Sequence, residues 1–353
     1  MKETKYSSYL TGKLVKGCEL CVEGRKMVLF VTGLCSRGCD FCPLSKLRMS
    51  MDKTYANERP VNSIKDVLDE VKASGAKGCS ITGGDPLLKL KRTVRLGKAL
   101  KKKFGKNFHI HIYLSTKLVN LQNLKELSEF VDEVRFHPDF EKPVYEEIEK
   151  IKLAGKFWKS ENIGIEIPLF PDKTDKIYNF IVKAKGYFSF LNFNELEAGE
   201  VTGPVMAKKY ELDKDGYLVK SSIDAGKKLI KKLEKSKIKI NINLCTSKLK
   251  LVHQYGNRLK NYKPFLFSKM TDEGTLVYFS SSPSPENRKL LSKNKKKNKN
   301  NFVYDKEKNQ LIINPGVIPS ISKNNKNRIK IYRTEEYPTF DREEVLREEL
   351  LLL

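Results

Sequence analysis

Three closely spaced cysteines are the strongest candidates for chemistry in this sequence. Cys35, Cys39 and Cys42 lie in the segment Cys-Ser-Arg-Gly-Cys-Asp-Phe-Cys, which follows the apolar run 27–31. Three thiolates in one short loop can bind three irons of a cluster, whereas a [4Fe–4S] cluster held entirely by protein takes four cysteines. No fourth cysteine lies near this loop, so the fourth iron would keep an open position, as catalytic metals do. The spacing therefore predicts a reactive cluster.

The alternative for these cysteines is a zinc knuckle or a set of reduced thiols. Zinc ribbons use paired C-x₂-C spacings, and CxxxCxxC differs from them. The position of the loop directly after a predicted strand also favours an iron–sulfur cluster. A motif match is a hypothesis that its structural context has to support.

A second motif, Thr82-Gly83-Gly84-Asp85-Pro86, closes the next predicted strand. Two glycines after a strand allow the backbone to approach a ligand closely. Taken alone, this segment would be an ordinary turn. Its position at a strand end, downstream of the cysteine loop, makes it a candidate binding turn.

The two motifs together resemble the signatures of radical S-adenosylmethionine (SAM) enzymes, in which an aromatic residue, here Phe41, precedes the last cysteine of a CxxxCxΦC loop. The resemblance implies that Cys35, Cys39 and Cys42 bind a [4Fe–4S] cluster and that the amino and carboxylate groups of SAM chelate the fourth iron. One electron would then split SAM into methionine and a 5′-deoxyadenosyl radical. Gly83 and Gly84 match the family's Gly-Gly-Glu turn, which contacts the SAM amino group. Asp85 replaces the usual Glu, so the role of its side chain is open.

Strand-like and helix-like segments alternate from residue 26 to about 195, which predicts an α/β fold with a parallel sheet. The predicted strands are 27–32, 78–82, 108–114, 131–136, 162–168 and 188–194. The predicted helices are 62–74, 89–103, 121–129, 143–154 and 172–185. Six such units match the partial (β/α)₆ barrel of the family that the motifs resemble. The pattern alone leaves an eight-stranded barrel or an open doubly wound sheet as alternatives.

Polar and apolar residues alternate along the later strands, and the polar ones are His109, His111, Tyr113, Glu133, Arg135, His137, Glu166, Asn192 and Asn194. Successive side chains of a strand point to opposite faces, so helices on the apolar face would leave these residues inside the barrel. A buried polar group without a partner is costly. The alternation therefore predicts a polar ligand or water in the lumen, unless some strands are inverted and present these residues to solvent.

By resemblance to the family, the ends of these strands hold SAM. Ser115 and Thr116 end the third strand, His137 ends the fourth, and Glu166 lies in the fifth. Asn194, Glu195 and Glu197 follow at the sixth, where contacts with substrate or methionine are expected. No residue is assigned a catalytic role beyond these cofactor contacts.

Cys18 and Cys21 form a C-x₂-C pair before the first barrel strand. Such a pair suits half of a second metal site or a redox dithiol, and a purely structural role is the alternative. Cys245 and His253 are the other available ligands, although a site needs about four. Cys79 lies in an apolar strand and is expected in the core.

The sequence divides into an N-terminal segment 1–25, a barrel region 26–261 and a β-rich C-terminal region 262–353. In the barrel region, 197–204 is predicted to be a loop over the barrel mouth, followed by helix 222–235, strand 237–244 and helix 246–261. The C-terminal region has predicted strands at 275–279, 302–305, 310–314 and 328–333. Its Lys/Asn-rich stretch 291–300 is predicted to be disordered from composition, and 341–353 to form a short helix.

The net charge is +25, from 68 basic and 43 acidic residues. Such an excess favours a polyanionic partner, RNA (a tRNA above all) or an acidic protein. The alternative is compositional drift, because the chain is rich in Lys, Asn and Ile throughout. No apolar stretch approaches the ~20 residues that span a bilayer, and the start lacks a signal-peptide apolar region. A cytoplasmic protein without membrane attachment is therefore expected, and seven cysteines fit a reducing compartment.

The leading functional prediction is an anaerobic radical SAM enzyme that acts on a tRNA or another polyanion. Within the family, the layout is similar to proteins described as related to pyruvate formate-lyase activating enzyme, which implies a low-potential electron donor such as ferredoxin or flavodoxin. One alternative is an activase acting on a protein or on a small metabolite. The other is a non-catalytic iron–sulfur sensor that binds nucleic acid, which a fourth nearby cysteine would favour.

Overall fold

The computed structural model describes residues 1–293, 301–323 and 329–350, and the chain divides into two compact units, Met1–Arg258 and Leu259–Leu353. The predicted N-terminal segment 1–25 is part of the first unit. Its strand β2 (Tyr9–Thr11) pairs with the last parallel strand of the sheet, and its helix α1 (Lys16–Val22) packs against the strands.

The first unit is built on one sheet of eleven strands. The strands are β1 (Lys2–Glu3), β2, β3 (Lys26–Phe30), β4 (Tyr55–Ala56), β5 (Arg59–Pro60), β6 (Gly78–Thr82), β7 (His109–Ser115), β8 (Glu133–His137), β9 (Ile163–Pro168), β10 (Phe190–Asn194) and β11 (Asn241–Cys245). Strands β3 and β6 to β11 are parallel, and each pairs with the next one in the chain.

The strand order confirms the predicted partial barrel. A doubly wound sheet reverses its strand order at a switch point, whereas the parallel strands here run in chain order from β3 to β11. The sheet ends at β5 on one edge and at β1 on the other, so among the described residues it does not close into an eight-stranded barrel. Strand β11 adds a seventh parallel strand to the six predicted and begins at Asn241, later than expected.

Helices cover the apolar face of this sheet, as the alternation predicts. They are α2 (Ile64–Ala73), α3 (Leu90–Phe104), α4 (Leu121–Ser128), α5 (Val144–Ala154), α6 (Thr174–Ala184), α7 (Gly203–Lys209) and α8 (Ser222–Lys235). Their buried faces, such as Leu96 and Leu100 of α3, share one core with Ile112, Phe136 and other strand residues. The predicted helix 246–261 is a π-helix, Leu249–Tyr255, followed by α9 (Gly256–Lys260). Short 3₁₀ turns precede α3, β9 and α6 at Pro86–Lys89, Ser160–Asn162 and Pro171–Lys173.

The second unit contains a six-stranded antiparallel sheet with a small apolar core around Leu311, Ile313 and Ile331. Its elements are β12 (Lys269–Met270), β13 (Leu276–Ser281), α10 (Pro285–Lys293), β14 (Phe302–Asp305), β15 (Gln310–Ile313), the 3₁₀ turn Pro315–Val317, α11 (Ile318–Lys323), β16 (Tyr332–Glu336) and β17 (Glu344–Glu349).

Three predictions for this unit need correction. The strand predicted at 328–333 is β16, which begins later, at Tyr332, and runs to Glu336. The terminal helix predicted at 341–353 is wrong over the described residues 341–350, because β17 pairs with β16 along its length. In the predicted disordered stretch, residues 291–293 end helix α10 and Leu291 is buried. Residues 294–300 lie outside the described part of the chain. Within the described ranges, no helix is long and apolar enough to cross a membrane.

Candidate active site

The cysteine loop follows β3 and therefore lies at the carboxyl-end edge of the parallel strands, where open α/β sheets bind ligands. Cys35 is exposed, and Cys39 and Cys42 are partly exposed. All three thiols are free of disulfides. Burial raises the pKa of the Cys39 and Cys42 thiols above the ordinary value. The loop thus presents three free thiols at the mouth of the barrel.

Phe41 fixes the end of this loop. Its ring lies edge-on to Phe170, with 4.7 Å between the ring centroids, and stacks on His137 at 5.8 Å. Burial lowers the pKa of His137 to about 3, so this imidazole is neutral near pH 7. The segment after β10 covers the same loop. Thr202 Oγ1 donates to the Cys42 carbonyl at 3.0 Å, and a Cβ on Gly199 would lie 2.3 Å from that oxygen.

The Gly-Gly-Asp turn packs directly against the start of the cysteine loop. The Gly84 N–H donates to the Thr32 carbonyl at 2.7 Å, and the Asp85 N–H donates to the Leu34 carbonyl at 2.8 Å. A Cβ on Gly84 would lie 2.2 Å from the Leu34 carbonyl oxygen and 2.9 Å from Cys35 Cβ. The glycines therefore allow the turn to pack closely against the cysteine loop, in addition to any contact with a ligand.

Asp85 connects three parts of the site through its carboxylate. One oxygen accepts from Ser36 Oγ at 3.1 Å and from Ser115 Oγ at 2.8 Å. The other accepts from the Leu87 N–H at 3.0 Å and caps the following 3₁₀ turn. Because the side chain is fully buried, Asp85 positions the cysteine loop relative to β6 and β7.

Glu166 lies one layer inside the mouth. Strand register places it beside Asn192, and its carboxylate accepts from the amides of Asn192 at 2.5 Å and Asn194 at 2.8 Å. Arg135 Nη1 lies 2.8 Å from its second oxygen. Ser115 and His137 occupy neighbouring positions of β7 and β8. The predicted residues Ser115, His137 and Glu166 therefore line the carboxyl ends of adjacent strands.

Most of the deeper polar residues pair with one another and with α1, so at that depth the predicted polar ligand or water is needed only at His111 Nδ1. Arg135 is 1% exposed, lies 2.5 Å from the Glu133 carboxylate, and donates to Cys18 Sγ at 3.3 Å. The Gly17 N–H of α1 donates to Glu133 at 3.3 Å. Only His111 Nδ1 lacks a hydrogen-bond partner among the described polar atoms of this layer. Apart from His111 Nδ1, the capacity for a polar ligand among the described residues of the lumen therefore lies at the mouth.

Several predicted residues lie apart from this mouth. The Thr116 hydroxyl is buried and donates to Glu147 of α5. Cys18 faces Arg135, Cys245 receives a hydrogen bond from Gln254 at 3.7 Å, and His253 packs edge-on to Tyr6. In the described residues, no three His, Cys, Asp or Glu side chains converge as ligands of one metal ion would. A second metal site at Cys18 and Cys21 therefore stays a prediction with two available ligands.

Sequence reasoning did not identify Ser36, Lys117 or Lys250 as part of this edge. Lys117 Nζ contacts the Ser36 carbonyl at 2.6 Å. Lys250, on the π-helix, lies 2.7 Å from Glu197, which also accepts from the Tyr217 hydroxyl at 2.8 Å. Lysine is so common in this chain that its position in the sequence carries no local signal. Only the π-helix, a form often found at functional sites, would have pointed to Lys250.

The cysteine loop fits a [4Fe–4S] cluster by its donor set. The cysteines of such a cluster bind separate irons and do not converge on one point, and the three thiols are soft donors free of other covalent bonds. Glu195 and Glu197 are held by Ser247 and Lys250 at the same edge. The chain thus combines a partial parallel barrel with a three-cysteine loop after the first parallel strand. This combination is typical of enzymes that bind a cluster with one open iron.

Comparison with known proteins identifies the family. A model of the radical SAM superfamily matches residues 29–177. The chain is also 35% identical, over 97% of its own length and 94% of the relative's, to a Methanocaldococcus jannaschii protein provisionally named a glycyl-radical enzyme activating enzyme. The chain belongs to the radical SAM superfamily, which confirms the predicted family and its cofactors, a [4Fe–4S] cluster and SAM.

Two solved radical SAM structures are distant neighbours. Coproporphyrinogen III oxidase of Escherichia coli is 14% identical with a TM-score of 0.36, and the match covers 66% of this chain and 60% of that one. The methyltransferase TsrM of Kitasatospora setae is 11% identical with a TM-score of 0.36, covering 56% of this chain and 41% of that one. The chain therefore spans less than two thirds of either neighbour.

Proposed function

We propose that this radical SAM enzyme is an activase that generates a glycyl radical in a partner protein. The observation that carries the proposal is the whole-length relationship to the Methanocaldococcus jannaschii protein. A match over 97% of the chain includes both compact units, so the similarity extends well beyond the shared radical SAM core.

In this proposal Cys35, Cys39 and Cys42 bind the three irons, and Phe41 holds their loop against Phe170 and His137. A cluster held by these cysteines, together with SAM, would supply the radical chemistry by which a hydrogen atom is abstracted from the substrate. The chain's own contribution is to fix the loop through Asp85, Ser36 and Ser115 and to surround it with buried, hydrogen-bonded groups. Such preorganisation lowers the cost of holding reactants in position.

We further propose that SAM contacts the residues at the carboxyl ends of β6 to β9, namely Gly83, Gly84, Asp85, Ser115, His137 and Glu166. The amides of Asn192 and Asn194 hold the carboxylate of Glu166 in place. The neutral His137 ring is suited to packing and to hydrogen bonding. Thr116 is left out of this set because its hydroxyl donates to Glu147 of helix α5 and not to a residue of the cysteine loop or of the strand ends.

A protein substrate is favoured over the RNA substrate suggested by the charge. The whole-length relative carries an activase name, and nothing in the comparisons supports a tRNA substrate. In this account the positive charge serves acidic protein partners, including a low-potential donor such as ferredoxin or flavodoxin. We expect an oxygen-sensitive enzyme, and its cytoplasmic location stays a prediction.

Deuterium transfer tests the substrate class. The reduced enzyme is incubated anaerobically with SAM and with separate protein, RNA and small-molecule fractions of its host, grown on α-deuterated glycine. If a glycine in a protein loses a hydrogen atom, 5′-deoxyadenosine gains one deuterium only with the protein fraction, and protease treatment abolishes the transfer. Substrate-dependent 5′-deoxyadenosine formation with the RNA fraction, sensitive to ribonuclease, would replace the activase proposal.

A further inference from the structure

A groove lies on the outer rim of the barrel, next to the cysteine loop and outside the ring of strands. Its walls are the turn after β6 and the turn after β7, and its cavity measures about 440 Å³. Apolar atoms of Leu87, Leu88, Leu118 and Val119 line it, and Leu88 is 41% exposed. Residues of α4 and α5 complete the lining, so the groove opens on the helical side of the sheet.

Both walls of the groove are bonded to the residue that follows the first cluster cysteine. Lys117 Nζ contacts the Ser36 carbonyl at 2.6 Å. Asp85, which begins the opposite wall, accepts from Ser36 Oγ at 3.1 Å. Since Ser36 follows Cys35 directly, a molecule seated in the groove would lie beside the most exposed of the three cysteines.

The charge of the groove is positive. Lys117 and Lys150 line it, and none of the described residues that line it is acidic. Each ammonium is anchored by a backbone carbonyl, Lys117 by Ser36 and Lys150 by Val119 at 2.9 Å. A carbonyl holds the ammonium in place without neutralising it, and no carboxylate of the described residues forms an ion pair with Lys117 or Lys150. An apolar floor with fixed positive charges at its rim complements an acidic protein that also presents apolar atoms.

We infer that this groove is the docking surface for an acidic, low-potential electron-transfer protein. The inference rests on the proposed function, because reductive cleavage of SAM consumes one electron per event. The reduced carrier gives up that electron and is oxidised by one equivalent, and no proton or group is transferred with it. The position outside the strands leaves the barrel mouth free for SAM and the substrate while the carrier is bound.

Paired substitutions test the surface with an acidic flavodoxin as the probe. The double variant K117Q/K150Q removes two positive charges and keeps an N–H donor on each side chain. L88N removes the exposed apolar contact without touching the cysteine loop. The matched control is K231Q/K235Q, which removes two exposed lysines from α8, several strands away in the sheet order. Binding to the reconstituted enzyme is measured anaerobically on a biosensor over a range of salt concentrations.

Each exposed ion pair contributes up to about fivefold in affinity, so K117Q/K150Q should weaken flavodoxin binding by up to about twenty-fivefold at low salt. The difference should shrink at high salt as the charges are screened, and L88N should weaken binding at all salt concentrations. The control should bind like wild type. Equal losses in both lysine pairs would mean non-specific attraction and would overturn the inference. Unchanged flavodoxin binding by K117Q/K150Q would also overturn it, as would a groove for which tRNA competes and flavodoxin does not.

Dithionite separates this inference from the proposed function, because a small reductant needs no docking surface. With dithionite, the single variants K150Q and L88N, which leave the contact between Lys117 and the cysteine loop intact, should cleave SAM at the wild-type rate. With reduced flavodoxin they should be slower at limiting donor concentration. Failure of wild type to cleave SAM with dithionite would contradict the proposed function and leave the binding result standing. A groove variant that is slow with dithionite as well would show that the groove supports the cluster loop and is not a docking surface.

Discussion

Replacing Arg135 with Met should destabilise the first unit much more than removing an exposed ion pair such as Lys98–Glu129 does. Arg135 is 1% exposed and lies between the carboxylates of Glu133, at 2.5 Å, and Glu166, at 2.8 Å. Removing one partner of a buried pair costs about 3–5 kcal/mol. Because two carboxylates lose their counter-charge here, we expect the upper end, about 5 kcal/mol.

In a unit of this size, about 1 kcal/mol shifts the melting temperature by about 2–4 °C. R135M should therefore melt about 10–20 °C below wild type in anaerobic scanning fluorimetry. K98M removes an exposed pair, Lys98–Glu129 at 2.6 Å, and should cost less than about 1 kcal/mol.

The triple variant R135M/E133Q/E166Q distinguishes charge from packing. With all three charges removed, it should recover at least half of the loss seen in R135M, because replacing every partner of a buried pair is far less costly than removing one. A shift for R135M no larger than that of K98M, or a triple variant no more stable than R135M, would refute the view that Arg135 neutralises this layer.

Three further predictions concern the loop and the layer beneath it. G84A should lower the iron content of the reconstituted protein severalfold, because its Cβ would meet the Leu34 carbonyl and Cys35. The control G203A has open space around the new Cβ and should load iron normally. Equal iron content in the two variants would contradict the close packing at Gly84. D85A should lower stability by about 1 kcal/mol through the lost cap and should weaken SAM binding, measured by equilibrium dialysis, while unchanged SAM affinity would make Asp85 purely structural. Burial and the neighbouring Lys26 ammonium lower the pKa of His109 to about 3, despite Glu133 at 3.7 Å. Below about pH 6.5 the imidazole takes up a proton in the unfolded chain but not in the folded one, so wild-type stability should fall by up to about 1.4 kcal/mol per pH unit as the pH drops. H109Q should flatten that slope in urea titrations at pH 5 to 7, and a slope identical to wild type would exclude His109 as its source.

The barrel and the face of each strand were predictable because their signals are local. Alternation of polar and apolar residues in β7 and β8 requires only the two-residue period of a strand, and Ile112 and Phe136 lie in the core as predicted. The cysteine spacing is also local, and it predicted the family correctly. The terminal strand β17 was not predicted because its residues are all exposed and show no buried face. Its conformation depends on pairing with β16, which a local pattern does not show.

The partners of the polar residues were not predictable from the sequence. Asp85 bonds to Ser36 and Ser115, which lie 49 and 30 residues away in the chain, and only the folded sheet brings them together. In the same way, α1 fills the bottom of the lumen and gives Glu133 and Arg135 their contacts with Gly17 and Cys18. A strand's alternation shows that its inner face is polar, but it does not show whether a ligand or another part of the chain satisfies that face.

The central claim is that Cys35, Cys39 and Cys42 hold a cluster that reduces SAM. The most direct measurement is the amount of 5′-deoxyadenosine formed by the anaerobically reconstituted, dithionite-reduced protein, quantified by mass spectrometry. We predict that wild type forms 5′-deoxyadenosine and methionine in equal amounts and that C35A, C39A and C42A form none. Formation of 5′-deoxyadenosine by the triple variant C35A/C39A/C42A at the wild-type rate would contradict the claim.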